Sequence, residues 1–567
     1  MRFFQNPLLY ALLAFILYLS GLGAVGFVGP DEARYADVAR AMLDSGDYVT
    51  PRLFGEPWFE KPPLYYWLAA QLFRLGANEL TARLPSALAA IIFLIVWFRF
   101  ARRRFGKPMA LFASILLGST LGWIGFARAA AMDMLFTATL DAALIFLALW
   151  LWEQKPGHLY GFYALLGLAT LAKGPLAVAL AGLVALGYIA TFREWAILRK
   201  LLLSPAPAAF FAVAMPWYAL CYAYNGASFL DEFFLKHNLA RFASAQTLGH
   251  GQPLWYYIPI LVAGLFPWSA MLLLPTLELI HSPRRILENR QKAFLFWWVA
   301  LPLVFFSLSE NKLPGYLLPI LPPLALWIAE IAMRGQEKEP ASDTSRRKAA
   351  PSAALHPSAP HPPAMPLALW LIGVSTLLLL TVPVLAPLLA ESLATGLRQA
   401  LANWSLASAG AGIWRGAVPV SRWIVLAVGV AFGFYFLRQK QALGAAFMAL
   451  LGVALCMLAI STHLSPSINR VASARSVAER IASLGVPMQD VAVYRIHRNQ
   501  AYQLSFYLNH ALPEWSPEDR SSNISLVVAN QDEQVPFAEP LSLFPGQRLR
   551  LWQLLGVRIE TENPRRP

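Results

Sequence analysis

A chain of 567 residues that is 57% hydrophobic, only 14% charged and of mean hydropathy +0.50 is not an ordinary soluble enzyme. Soluble domains carry about a quarter of their residues as charge, whereas long apolar runs recur here, as in multi-pass membrane proteins. The formal charge of +14 does not call for nucleic acid. Cytoplasmic loops collect Lys and Arg, and the remaining cations are available for anionic lipids or phosphates.

The 19 Trp and 19 Tyr suit rings anchored at headgroup level. Both cysteines, Cys221 and Cys456, lie inside apolar runs. They read as small packed hydrophobes, with no disulfide framework and no thiol chemistry.

The first apolar run, 8–28, is long enough to cross a bilayer. Only Arg2 precedes it and no Ala-x-Ala site follows, so it reads as a retained helix rather than a cleaved signal peptide. Directly after it comes Gly29-Pro30-Asp31-Glu32-Ala33-Arg34-Tyr35. From Asp31 to Asp47, the residues Tyr35, Val38, Ala39, Met42 and Leu43 recur at helical spacing on one face. The spacing predicts an amphipathic helix in the membrane interface. Pro30 suits its start, and Asp31 and Glu32 occupy a first turn where the helix dipole favours acids. They read as capping acids or as site acids. Arg34, three residues after Asp31, either pairs with it or holds a phosphate.

Pro62-Pro63-Leu64-Tyr65-Tyr66-Trp67-Leu68 starts a second candidate interfacial helix, with Glu60 and Lys61 just before it. Lys61 reads as a snorkelling anchor or as a ligand for a lipid-linked phosphate. Further apolar runs follow at 84–100, 108–126, 134–151, 160–173, 175–192, 207–224, 255–275, 293–309, 315–333, 365–388, 422–437 and 442–461, about thirteen spans in all. Asp141, about 12 Å down the fourth of them at 1.5 Å per residue, is an intramembrane acid, functional or paired within the bundle; it is left unassigned.

Short basic connectors set the orientation. They are Arg102-Arg103-Arg104 with Lys107, Arg193 to Lys200, Arg284-Arg285 with Arg290 and Lys292, and Arg438 with Lys440. With the N-terminus inside, all fall on the cytoplasmic side. The loops at 29–83, 127–133, the Lys173 turn, 225–254, 310–314, 389–421 and everything after about 462 then lie outside. Polar motifs far apart in sequence can therefore build one external site. Residues 336–364, rich in Pro, Ala, Ser and charge, read as a flexible cytoplasmic linker. Beyond Thr462 the composition turns soluble, with helical spacing over 472–484 and strand patterns at 491–496, 524–528 and 549–552. The expected division is a transmembrane domain, 1–465, and a small external α/β domain, 466–567.

The run Asp31-Glu32-Ala33-Arg34-Tyr35-Ala36-Asp37-Val38-Ala39-Arg40, followed by Gly55-Glu56-Pro57-Trp58-Phe59-Glu60-Lys61-Pro62-Pro63-Leu64-Tyr65-Tyr66-Trp67, resembles the first external loop of bacterial polyprenyl-phosphate-dependent GT-C glycosyltransferases. It is most similar to the lipid A aminoarabinose transferase branch. The same branch is similar in Ala131-Met132-Asp133-Met134, Ala172-Lys173-Gly174-Pro175, Lys236-His237-Asn238-Leu239-Ala240-Arg241-Phe242 and Glu310-Asn311-Lys312-Leu313-Pro314-Gly315-Tyr316. The resemblance covers about the first 335 residues well, and the remainder only in architecture.

The resemblance implies an α-helical polytopic GT-C fold, with about thirteen transmembrane helices, interfacial helices in the first periplasmic loop and a small C-terminal α/β domain. It implies transfer of 4-amino-4-deoxy-L-arabinose from undecaprenyl phosphate to a lipid A phosphate, at the periplasmic face of the bacterial inner membrane, giving resistance to polymyxin and cationic peptides. Asp31 matches the acid that the family uses after its first helix, and Asp133 matches a second acid. Asp133 also suits a helix N-terminus. A protein hydroxyl or another glycan is the alternative acceptor, as in protein O-mannosyltransferases. A lipid flippase is a third reading, disfavoured because no inverted repeat is visible. The partners expected are the polyprenyl-linked sugar, lipid A or another lipid acceptor, and membrane lipids, with the protein a monomer.

Departure of a polyprenyl phosphate leaves negative charge on phosphate oxygens, which pre-placed cations stabilise. The external cations are Arg34, Lys61, Lys173, Arg241 and Lys312, with Lys61 and Arg241 foremost by motif context. A hydroxyl acceptor would need a general base. An anionic lipid A phosphate needs positioning and screening instead, and Asp31 would then orient the acceptor or the amine of the sugar. Tyr35, Tyr65 and Tyr316 are candidate donor contacts or belt tyrosines. No cofactor is required by this chemistry. A zinc ion on Glu60, His237 and His250 is a candidate without a local ligand spacing, so packing histidines are the competing reading.

Overall fold

The computed structural model describes residues 7–233, 252–333, 442–518, 524–530, 533–536, 538–541 and 549–554. His237, Arg241, His250, the 336–364 linker and the expected spans at 365–388 and 422–437 lie outside the described residues.

The first apolar run is helical over a shorter stretch than expected. Helix α1 (Pro7–Ala14) continues through a wider turn at Phe15–Leu19, and the backbone becomes extended at Ser20. Glycines then let the chain pass against a distant segment. A Cβ on Gly21, which has φ +61, would lie 2.3 Å from Ser461, and one on Gly26 would lie 2.3 Å from Ser473 Oγ. Any side chain at either position would push the two segments apart.

Helix α2 (Pro30–Ser45) forms where the spacing predicts it, with Pro30 in its first turn and Gly46 closing it in the left-handed region. It is covered by protein. Tyr35, Val38, Ala39 and Met42 are buried, and α2 packs between α3 (Leu64–Phe73) and the C-terminal helix Arg498–Leu508. Between α2 and α3 a two-stranded hairpin, β1 (Arg52–Leu53) and β2 (Glu56–Pro57), turns at Phe54 and Gly55, both at positive φ.

Helix α4 (Glu79–Phe105) starts in a capping box, with Asn78 accepting from Thr81 N and Thr81 Oγ1 accepting from Asn78 N. Helices α5 (Lys107–Gly118) and α6 (Leu121–Ala127) meet at a 64° bend. Helices α7 (Met132–Glu153) and α8 (Pro156–Lys173) follow as a tightly packed hairpin, and α9 (Leu176–Phe192) is followed by α10 (Trp195–Leu203) and α11 (Pro207–Asn225). The expected span at 255–275 is broken. Helix Tyr257–Gly264 ends before Pro267, which has no N–H to continue it, and the Phe266 carbonyl accepts instead from Leu121 N at the α5–α6 bend, 2.8 Å away.

Among the described residues five helices are long and apolar enough to cross a membrane, or up to seven if each bent pair is one span. They include α4, α7, Arg290–Leu308, Pro314–Met333 and Ala442–Thr462. Shorter apolar helices at Leu9–Leu19, Leu176–Phe192, Leu254–Gly264 and Ser269–His281 account for other expected spans. The chain is a multi-pass membrane protein.

The described basic connectors around Arg103, Lys155 and Arg290 gather at one end of the bundle, while Arg438 and Lys440 lie outside the described residues. Glu153, at the end of α7, accepts from Arg103 at 2.9 Å and pairs with Arg104 and Lys155, while Glu194 pairs with Arg290 at 2.5 Å. The α7–α8 hairpin runs from that end to the other, about 33 Å away for 22 residues. At that far end stand Asp133 and Lys173.

After Ala442–Ala459, helix Arg475–Ser483 forms within the expected 472–484 stretch, and a further short helix, Ser465–Ala472, precedes it. The strands are β3 (Val491–Tyr494), β4 (Leu526–Asn530), β5 (Ala538–Pro540) and β6 (Leu549–Leu554), in the order β3-β4-β6-β5. The β3–β4 pair is parallel and the others are antiparallel. Both faces of the sheet are covered. Val491, Val493, Leu526 and Val528 join Ile481 and Leu504 on one side, and Ala492, Tyr494, Val527 and Trp552 join Trp515 on the other. Strand β5 and helix Arg498–Leu508 had no counterpart in the sequence patterns.

Candidate functional site

Arg34 is the centre of the site, because its charge is buried and its partners converge from three segments. One turn of α2 places it over Asp31, with Nη2 2.6 Å from Asp31 Oδ1. Its Nη1 lies 3.0 Å from Glu60 Oε2, and Lys61 Nζ lies 3.3 Å from Glu60 Oε1. The guanidinium also approaches the rings of Tyr35 (5.0 Å), Trp58 (5.4 Å) and Tyr502 (5.9 Å). Burial disfavours its charge, but Tyr35, Glu60, Asp31 and Tyr66 together more than offset that and hold it protonated. Alternating acids and bases in this cluster keep each charge partly compensated away from water.

Asp31 keeps half of its side-chain surface open, against 10% for Arg34. It is the accessible acid of the cluster. Enclosure by protein raises its carboxyl above the ordinary aspartate value; Arg34 and Lys61 oppose this, and the nearby carboxylates of Glu60 and Asp133 add to it. Asp133 therefore shares the electrostatic neighbourhood of Asp31.

Asp133 stands in the first turn of α7, and its Oδ1 lies 2.5 Å from Lys173 Nζ in the last turn of α8. Each charge also suits its helix end. Lys173 lies 4.9 Å from the centre of the Tyr316 ring, which stacks on Phe306. The backbone of Gly315 touches this pair so closely that a Cβ there would sit 2.6 Å from Asp133 Oδ1.

A second buried ion pair fixes the frame. Glu32 receives Arg83 Nε and Nη2 at 2.8 Å each, and its oxygens also accept from Ala130 N at 2.8 Å and Val28 N at 2.9 Å. Arg83 donates further to the carbonyls of Leu22, Val25 and Gly26. Glu32 is thus a brace between the loop before α2, helix α4 and the turn before Asp133, and not merely a first-turn acid.

The structure brings together Asp31, Arg34, Tyr35, Glu60 and Lys61, and sets Asp133, Lys173 and Tyr316 beside one another. Lys312 turns elsewhere. Its Nζ donates to the carbonyls of Ser309 (2.5 Å) and Gln252 (2.9 Å), and burial lowers its pKa. Tyr65 is fully buried and donates to Ala82 O, a packing role. Asp141 lies apart from the cluster, accepting from Trp298 Nε1 at 3.3 Å. Glu60 is the described member of the candidate zinc set, and both of its oxygens face cations; among the described residues no three His, Cys, Asp or Glu side chains come together to hold a metal.

Arg83, Trp58, Tyr66 and Tyr502 join the site without having been singled out in the sequence. Trp58 and Tyr66 fall inside the motif-rich loop, so their position was a signal. Arg83 and Tyr502 come from a long apolar helix and from the C-terminal region, where spacing along the chain carries no hint of Glu32 or Arg34.

A family model described as dolichyl-phosphate-mannose-protein mannosyltransferase matches residues 60–220. The chain is 35% identical over 333 residues to undecaprenyl phosphate-alpha-4-amino-4-deoxy-L-arabinose arabinosyl transferase 1 of Pseudomonas fluorescens, covering 57% of each chain. It is 38% identical over 331 residues to the corresponding transferase of Pseudomonas aeruginosa, covering 56% of this chain and 57% of that one. It therefore spans somewhat more than half the length of the curated relatives it matches. The crystal structure of ArnT from Cupriavidus metallidurans bound to undecaprenyl phosphate superposes with a TM-score of 0.73 at 23% identity, covering 98% of this chain and 99% of that one. The apo form of the same protein gives 0.71 at 22%. The fold is that of the Cupriavidus metallidurans ArnT structure.

Proposed function

We propose that the chain is a membrane glycosyltransferase that moves 4-amino-4-deoxy-L-arabinose from undecaprenyl phosphate to a phosphate of lipid A. The observation that carries this reading is the gathering of Asp31, Arg34, Glu60 and Lys61 with Asp133 and Lys173 at the end of the bundle away from the basic connectors. The similarity to arabinosyl transferases supplies the substrate class. By the positive-inside pattern, that end faces the periplasm across the inner membrane. Residues 1–465 would form the transferase bundle and 466–567 a periplasmic domain, with the protein acting as a monomer.

In the reaction the bond from the sugar's anomeric carbon to the donor phosphate oxygen breaks, and the phosphate leaves with the electron pair. A bond forms from that carbon to an oxygen of the acceptor phosphate. Lys61 and Lys173 would screen the two phosphates as charge shifts between them. An ionised acceptor needs no deprotonation, so Asp31 would hold the sugar's ammonium or orient the donor. The product carries an added amine on lipid A, which lowers its negative charge and with it the attraction of polymyxin-like cations.

The match of residues 60–220 to a protein mannosyltransferase family favours a second reading, with a protein hydroxyl as acceptor and Asp31 as its general base. One experiment separates them. Purified protein is incubated with undecaprenyl-phosphoaminoarabinose and either lipid A or a Ser/Thr-rich protein, and the products are weighed by mass spectrometry. Modified lipid A, absent with Asp31→Asn, supports the first reading; a glycosylated protein supports the second.

A further inference from the structure

We infer that Tyr502, on the C-terminal helix Arg498–Leu508, is a positioning residue for the transfer reaction and acts through Arg34. This rests on the reading above that the Asp31–Arg34 cluster is where transfer occurs.

Three rings surround the Arg34 guanidinium, and two of them, Tyr35 and Trp58, come from the same loop as Arg34 itself. The third is Tyr502, 5.9 Å from the guanidinium carbon and nearly five hundred residues away along the chain. Tyr502 also stacks on Phe54 at the tip of the β1–β2 hairpin, with ring centres 5.9 Å apart and planes inclined by 27°. The C-terminal helix therefore supplies a wall that neither α2 nor the hairpin can provide.

That wall is held firmly enough to define a position. Arg40 Nη1 donates to Phe506 O at 2.8 Å, and its guanidinium lies over the Phe506 ring. Phe27 N donates to Tyr507 Oη, which donates in turn to Glu79 at 2.9 Å. The Phe27 and Phe506 rings meet edge to face at 4.8 Å, and Asn469 Oδ1 accepts from Gly26 N at 2.7 Å. These contacts join the C-terminal region to the loop before α2 and to α4. Movement of the helix is thereby coupled to the segment that carries Asp31.

The chemical consequence follows from what Arg34 does. It spans Asp31 and Glu60, so its orientation sets the direction of the accessible carboxylate and the charge beside Lys61. An aromatic face against a desolvated guanidinium both attracts it electrostatically and blocks its alternative rotamers. Without Tyr502 the guanidinium loses its wall on the C-terminal side, so its alignment between Asp31 and Glu60 is less tightly held while every direct substrate contact remains in the sequence.

The test uses the full chain with lipid-linked aminoarabinose donor and lipid A acceptor. Tyr502→Ala and Tyr502→Leu are each expected to lower kcat about tenfold, with donor KM nearly unchanged. Tyr502→Phe is expected to restore wild-type turnover, because the ring face and not the hydroxyl acts on Arg34. Tyr502→Leu retains apolar packing, so an impaired Leu variant whose unfolding temperature matches wild type separates loss of the π face from loss of fold. Arg495→Ala, an exposed change on the same domain, is expected to behave as wild type. Wild-type turnover in Tyr502→Leu, or equal damage in Tyr502→Phe and Tyr502→Ala, would overturn the inference. Absence of transfer by the wild-type protein would instead reject the transferase reading beneath it.

Discussion

Glu32 and Arg83 form a buried two-point ion pair, and through it the loop that delivers Asp31 is tied to the turn that delivers Asp133. One carboxylate accepts from a helix-α4 guanidinium, from Ala130 N and from Val28 N, so all of its oxygens' lone pairs have work within the protein. The two acids of the site therefore share one brace.

Removing half of that brace leaves the other half charged and buried. Arg83→Ala is expected to destabilise the fold by about 3–5 kcal/mol, the usual range for an orphaned partner of a buried pair. A lowered unfolding temperature in detergent, with activity lost in parallel, is the expected outcome. Unchanged melting would show that the pair does not brace the fold.

The Asp31–Arg34 pair gives a pH signature. Arg34 lowers the Asp31 carboxyl, against the surrounding protein that raises it. Arg34→Met removes the lowering influence, so the folded-state pKa of Asp31 must rise further. If the carboxylate is the working form, the acid limb of the kcat profile moves to higher pH in the variant. A limb that stays in place or moves to lower pH would separate Asp31 ionisation from turnover.

Gly315 tests the placement of Asp133. A methyl group at this position would sit 2.6 Å from Asp133 Oδ1 and 2.8 Å from the Phe126 ring. Gly315→Ala is expected to displace the Asp133–Lys173 pair and to reduce transfer by about tenfold or more, as loss of an oriented charge does. The check is single-turnover kinetics on protein whose gel-filtration profile matches wild type.

Asp37 links pH to the docking of the C-terminal helix. Burial pushes its carboxyl up to about 7, against the opposing influences of Arg40 and Ser505. Its folded value lies above the ordinary 3.8, so the neutral acid is the form that favours folding. The associated stability is fully present below pH 3.8 and is lost as pH rises through about 7. Asp37→Asn is expected to flatten this dependence and to raise the unfolding temperature at pH 8 relative to wild type. Melting curves at intervals from pH 4 to 8 would show it, and an unchanged slope would count against it.

Much of the first loop was legible because its signals are local. Pro30 at a helix start, apolar residues at helical spacing to Met42, and acids and bases within thirty residues of one another need no knowledge of the rest of the chain. Asp31, Arg34, Glu60 and Lys61 meet through one helical turn and one short hairpin. Its motif makes Lys312 an external cation, yet two carbonyls of nearby segments take its charge inward. Whether a lysine points to a cavity or into its own loop is decided by packing, and no short-range pattern records it. The first helix stops short of the end of its apolar run for a related reason. Hydropathy continues to residue 28, but Gly21 and Gly26 are there to let Ser461 and Ser473 approach.

The sequence by itself determined that this chain lives in a membrane, which end of its helices carries the basic connectors, and where the acids and cations of the first loop would lie. Those properties depend on composition, period and residues close together in the chain. Only the tertiary structure decided that Glu32 serves as a brace with Arg83, that Asp133 pairs with Lys173, and that Tyr502 reaches Arg34. Each of these joins residues between forty and several hundred positions apart, where the energy comes from burying a charge against one particular partner. A linear pattern can show that such a charge exists, but the partner that compensates it is chosen by how the helices pack.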